Sequence, residues 1–138
     1  MVDALRRANE VLVPGGWLVD LHPTDAPAKV MVEANATGHV AAGDAPQRHA
    51  AATDAIATIV ERGCFETAAV VEFAFNTYGD DVDELHQHIA DNWRDARFDH
   101  GTVARTREAL RAAPPGVRPR VVETVRLTTL RRLPASGA

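Results

Sequence analysis

The sequence predicts an α/β fold from three observations. A helix stopped by Pro14-Gly15-Gly16 leads into an apolar strand, a helix and an alternating strand follow, and a long β-branched strand closes the chain. Strand, helix and strand in succession form a right-handed crossover, so the first two large strands are expected to run parallel in one sheet. The last strand returns through two helices and is expected to lie antiparallel beside either of them. A chain of 138 residues suits one core, so a single α/β domain is expected over residues 1–133, with a disordered tail at 134–138.

Val2 to Leu12 places Leu5, Ala8 and Leu12 near one face at helical spacing, and Pro14-Gly15-Gly16 ends the helix. Trp17 to Leu21 is a nearly unbroken apolar run, the pattern of a strand covered on both faces. Between 27 and 44, β-branched residues flank the turn-forming Asn35 to Gly38, which predicts a small hairpin turning there. Asp44 followed by Gln47 has the form of a capping box, and Ala52, Ile56, Ile59 and Val60 make the apolar stripe of a helix that Gly63 ends. Phe65 to Thr77 then alternates, with Thr67, Ala69, Val71, Phe73 and Phe75 following Phe65 on one side and Glu66 and Glu72 on the other. A second capping box, Asp81 to Glu84, opens a helix with Val82, Leu85, Ile89 and Trp93 on its apolar face. A weaker helix covers Thr102 to Ala112 before Pro114-Pro115-Gly116 breaks it, and Arg120 to Leu133 reads as the final strand.

Composition narrows the function classes. With 46% hydrophobic and 25% charged residues the chain reads as an ordinary globular protein. Its apolar runs fall far short of the roughly 20 residues a membrane-spanning helix needs. The N-terminal segment mixes charge with apolar residues and lacks the core of a secretory signal, so a cytoplasmic location is expected. A single cysteine, Cys64, excludes an internal disulfide and a cysteine-based zinc cluster. Residues 1–96 carry 6 Lys/Arg against 16 Asp/Glu, and residues 97–138 carry 9 Arg against 3 acids. The basic end alternates arginine with apolar residues and has few aromatics, which points to complementation between the two parts rather than to nucleic acid.

The segment "ALRRANEVLVPGGWLVDLHP" resembles the stretch of class I S-adenosylmethionine-dependent methyltransferases in which a helix leads through Pro-Gly-Gly into the fifth strand. The later order is similar too: a helix ending at Gly63-Cys64-Phe65, a sixth strand, a helical pair and a terminal strand, "RVVETVRLTTLRR". The resemblance covers nearly all of this chain but only the C-terminal half of the family fold. It implies a partial Rossmann-like sheet in which an antiparallel seventh strand lies between the fifth and sixth. The family's cofactor elements, a glycine-rich turn after the first strand and an acidic residue ending the second, are not among these residues. Gly15 and Gly16 precede a strand, whereas cradling a phosphate or amino acid needs glycines between strand and helix. No cofactor is therefore expected for this chain alone, and S-adenosylmethionine only if another half completes it.

Ligands of open α/β sheets sit beyond the carboxyl ends of the parallel strands. That edge is expected to gather His22 and Asp25 after the first strand, Asn76 and Tyr78 after the second, and Arg118 and Arg120 at the start of the last, with Trp93 and the helical pair above them as a lid. An imidazole there can serve as a general base, though a loop histidine before proline is the plainer reading. No catalytic residue is assigned. His86 and His88 point apart on a helix, and no metal site is expected. The acids at 80–84 match what a helix N-terminus attracts.

Two functions follow as expectations. One is a noncatalytic, methyltransferase-like module that acts by association, as a homodimer or with a partner chain, through the Trp17 to Leu21 edge strand. The other is the C-terminal part of a methyltransferase, active only when completed. The 27–44 hairpin is the alternative cover for that edge.

Overall fold

The computed structural model describes residues 1–135. Of the expected tail, Pro134 and Ala135 lack regular structure, and residues 136–138 lie outside the described residues. Among the described residues the chain forms four helices, α1 (Val2–Val11), α2 (Ala45–Glu61), α3 (Val82–Asn92) and α4 (Thr102–Ala112). Six strands accompany them: β1 (Trp17–Pro23), β2 (Lys29–Val32), β3 (Asn35–Ala42), β4 (Phe65–Tyr78), β5 (Ala96–Phe98) and β6 (Arg120–Arg132). The fold is α/β. The chain divides into two compact units, the first comprising Met1–Thr24, Gln47–Phe73 and the residues from Val125 onward, the second Asp25–Pro46 and Ala74–Thr124. β4 and β6 contribute residues to both.

In the first unit β6 lies between β1 and β4. β1 is antiparallel to it, with Trp17 opposite Arg131 and Pro23 opposite Val125. β4 is antiparallel as well: Leu133 N–H donates to the Cys64 carbonyl at 3.1 Å, Arg126 meets Glu72, and Gly79 N–H donates to the Pro119 carbonyl, so numbers rise on one strand as they fall on the other. β1 and β4 therefore run parallel to each other, separated by β6. The Pro-Gly-Gly turn is pinned to the end of β6: Gly15 N–H donates to the Arg132 carbonyl at 2.9 Å and Arg132 N–H to the Gly16 carbonyl at 2.8 Å. Gly15 has φ +79°, which glycine alone adopts without a side-chain penalty. The core joins Leu5 of α1, Ala55, Ile56 and Ile59 of α2, Phe65 of β4 and Leu130 of β6.

Only one face of this part of the sheet is covered, contrary to the reading of residues 17–21 as buried on both sides. Leu18 packs on the core and His22 reaches α2, so alternation turns Trp17, Val19 and Leu21 away from the helices. They are 56%, 58% and 58% exposed. The β4 pattern departs in the same way. Phe65 is buried, but Val71 and Phe73 are exposed, because Glu72 between them faces the helix side to meet Arg126. An apolar run reports hydrophobicity and says nothing about how many faces are covered.

The second unit is built on the hairpin. β2 pairs with β3 and, through Lys29 to Met31, with residues 120–122 of β6; β3 also pairs with β5, a short strand the sequence did not signal. The hairpin thus pairs with β6 and not with β1. Its turn is Glu33-Ala34, two residues before the expected Asn35 to Gly38, with Glu33 at φ +53°. Gly38 instead lies within β3, where a Cβ would collide with the Thr102 side chain. The apolar sides of α3 and α4 are taken up by this unit's own core, where Val82, Leu85 and Ile89 join Val30, Val40, Phe98 and Val121. The expected lid is therefore a structural layer. Asp81 caps α3 by accepting from Glu84 N–H at 2.8 Å, as the capping box predicts. Asp83 pairs with Arg107 of α4 at 3.0 Å and Asp80 with Arg118 at 3.6 Å.

Candidate functional site

Alternation along β1 puts Asp20 and His22 on the side facing α2, two residues apart and side by side. The Asp20 carboxylate bonds His22 Nδ1, and His22 Nε2 lies 3.1 Å from the hydroxyl of Thr53 in α2. Both Asp20 and His22 are largely buried, with side chains 14% and 10% exposed. A carboxylate only accepts, so Nδ1 carries the proton; when the ring is neutral, Nε2 is the acceptor and the Thr53 hydroxyl can donate to it. The competing acceptor for that hydroxyl, the His49 carbonyl, is farther away at 3.4 Å.

Arg126 of β6 continues the chain. Its Nε and one terminal nitrogen grip the same Glu72 oxygen at 3.0 and 2.6 Å, while the other terminal nitrogen points toward the Thr53 oxygen at 3.5 Å. His22, Thr53 and Arg126 line a cleft of about 210 Å³ together with Ile56, Ala57 and Val60 of α2, Thr67 and Val70 of β4 and Thr128 of β6. An apolar pocket with a few converging polar groups is the usual form of a small-molecule site.

The residues expected at the ligand edge fall in both units. His22 belongs to the first unit; Asp25, Asn76, Tyr78, Trp93 and Arg118 belong to the second. There, the Arg118 guanidinium lies over the Tyr78 ring, 5.1 Å from its centroid. Trp93 follows α3 and packs against that unit's core. Asp25 and Asn76 are exposed. Comparison with family models, curated proteins and solved structures gives no match.

Asp20, Thr53, Glu72 and Arg126 were not among the sequence candidates. Asp20 carried a signal, being the one charge in an otherwise apolar strand and sharing parity with His22. Thr53 carried none, since a threonine beside a helix's apolar stripe commonly returns its hydroxyl to the preceding turn.

Two charged groups of the second unit are displaced from their ordinary range. The Thr102 hydroxyl bonding Asp99, helped by His39 N–H and Arg105, lowers the Asp99 pKa against a smaller opposing desolvation. Desolvation raises that of Glu123. Among the described residues no helix is long and apolar enough to cross a membrane.

Proposed function

We propose that this chain is a methyltransferase-like, cytoplasmic association module, with no S-adenosylmethionine site of its own, that pairs with a second copy through β1 and the uncovered sheet face beside it. One observation carries the reading: Trp17, Val19 and Leu21, each more than half exposed, continue on the same face into Leu127 and Thr129 of β6 and Val71 and Phe73 of β4. Single exposed apolar residues are ordinary, but a contiguous row across three strands marks an interface. The rim favours a copy of the same chain. Arg131 and Glu66 sit together there, 4.0 Å apart, so a two-fold axis can set opposite charges against each other. Covering half-exposed side chains of this size contributes on the order of 1 kcal/mol each, against an association cost of about 4 kcal/mol or more, so a weak dimer is expected.

Sedimentation equilibrium tests this. Mass should rise toward the dimer with concentration, and Val19→Lys should abolish the rise while leaving the fold intact by circular dichroism. A monomer at high micromolar concentration would rule out self-pairing.

A second reading is supported by the sheet order. β6 lies between β1 and β4 in the first unit, and the resemblance implies an antiparallel terminal strand between the fifth and sixth. In that family the outer edge of the fifth strand receives the cofactor-binding half, and among the described residues β1 pairs with β6 alone. Calorimetric titration with S-adenosylmethionine tests what both readings require, that this chain alone holds no cofactor site. No heat at millimolar ligand is expected for this chain, whereas tight binding would overturn the absence of a cofactor site.

A further inference from the structure

The geometry points to an activity separate from methyl transfer: Thr53 is an activated nucleophile, with His22 as its general base and Asp20 as the residue that orients the base, and it transfers short acyl groups from esters. A hydroxyl becomes nucleophilic when a neutral imidazole accepts its proton and a carboxylate holds the imidazole in the correct tautomer. The chain supplies this order, from the Asp20 carboxylate to His22 Nδ1 and from His22 Nε2 to Thr53 Oγ1 at 3.1 Å. The nucleophile lies in the wall of a cleft whose remaining lining is largely aliphatic, Ile56, Ala57, Val60 and Val70, which suits an unbranched acyl chain and no charge. Arg126 supplies the electrophilic element. Two of its nitrogens are held by Glu72, and the third, 3.5 Å from Thr53 Oγ1, is placed to donate to the carbonyl oxygen of an ester engaged by that hydroxyl.

The step balances without an added reagent other than water. His22 Nε2 takes the Thr53 proton as Oγ1 bonds the acyl carbon, and the carbonyl π pair moves onto its oxygen beside Arg126. Collapse breaks the ester C–O bond, and the departing alkoxide takes the proton from His22, leaving acyl-Thr53. Water, deprotonated by the same nitrogen, then releases the acid and restores the hydroxyl.

The experiment uses the full chain and p-nitrophenyl butyrate, following p-nitrophenolate release and locating the butyryl adduct by mass spectrometry of acid-quenched digests. The expected result is an adduct on the peptide carrying Thr53 and a rate that falls about 100-fold in Thr53→Val, with His22→Gln similarly impaired. Thr53→Ser should retain the activity, and thermal melts of each variant separate lost chemistry from lost folding. Cys64 is the rival nucleophile, so Cys64→Ser should react like the parent. An unchanged rate in folded Thr53→Val, a butyryl group found only on another residue, or loss of activity in Cys64→Ser would overturn the assignment.

Discussion

Arg126 and Glu72 hold β6 and β4 together through a forked contact, two guanidinium nitrogens on one carboxylate oxygen at 3.0 and 2.6 Å. The side chains remain 31% and 46% exposed, so solvent screens much of the attraction. Glu72→Gln should cost about 0.5–1 kcal/mol in urea unfolding. Molar salt should shrink the difference between parent and variant, because the screening length falls to a few ångströms. A loss that salt leaves untouched would mean packing, and not charge, is what the carboxylate provides.

Asp81 satisfies an amide at the start of α3 that has no partner inside the helix. Asp81→Ala should lower stability by about 1 kcal/mol, and Asp81→Asn or Asp81→Ser by clearly less, since both keep an acceptor oxygen. Thermal or urea unfolding of the three variants checks the ranking.

Gly38 is required by a close approach and not by its backbone angle. Gly38→Ala sets a methyl against the Thr102 side chain at the start of α4 and should cost about 1–3 kcal/mol. Thr102→Ala makes room but gives up the bond to Asp99. In a double-mutant cycle the pair should therefore cost less than the sum of the two single changes, by about 0.5 kcal/mol or more. Strict additivity would place the strain elsewhere.

Glu123 gives the stability a pH dependence of known sign. Its folded pKa is raised by desolvation, so over the window between the ordinary carboxylate value and that raised value the native state binds more protons than the unfolded chain. Its favourable contribution is complete below the ordinary value and is lost as pH rises through the folded one. Glu123→Gln should thus gain stability over the parent at neutral pH, with the gain fading on acidification. Asp99, held low chiefly by the Thr102 hydroxyl, has the opposite sign: it stabilises above the ordinary value and loses this as pH falls through its lowered one. Asp99→Asn should lose most at neutral pH.

The element order was legible in the sequence because its signals are local. The Leu5 face, the Asp81 cap, the stop at Gly63 with φ +73° and the span of α4 all depend on residues within about one turn of each other. The hairpin was legible as a pair of strands, but its turn was misplaced. Asn35 and Gly38 look like turn residues, and only the approach of Thr102 shows that Gly38 is needed inside the strand. β5, three residues long, is too short to display a period.

Local signals in the sequence therefore set the succession of helices and strands, β5 apart, together with the Asp81 cap and the breaks between elements. Tertiary structure alone decided which face of β1 is covered, that β2 pairs with β6, and that Thr53 meets His22 from 31 residues away. The physical reason is one of range: backbone preference and apolar periodicity are properties of neighbours in the chain. Coverage of a face and a bond between a strand and a distant helix depend on which surfaces pack, and the Trp17-Val19-Leu21 side of β1 is apolar whether or not anything lies against it.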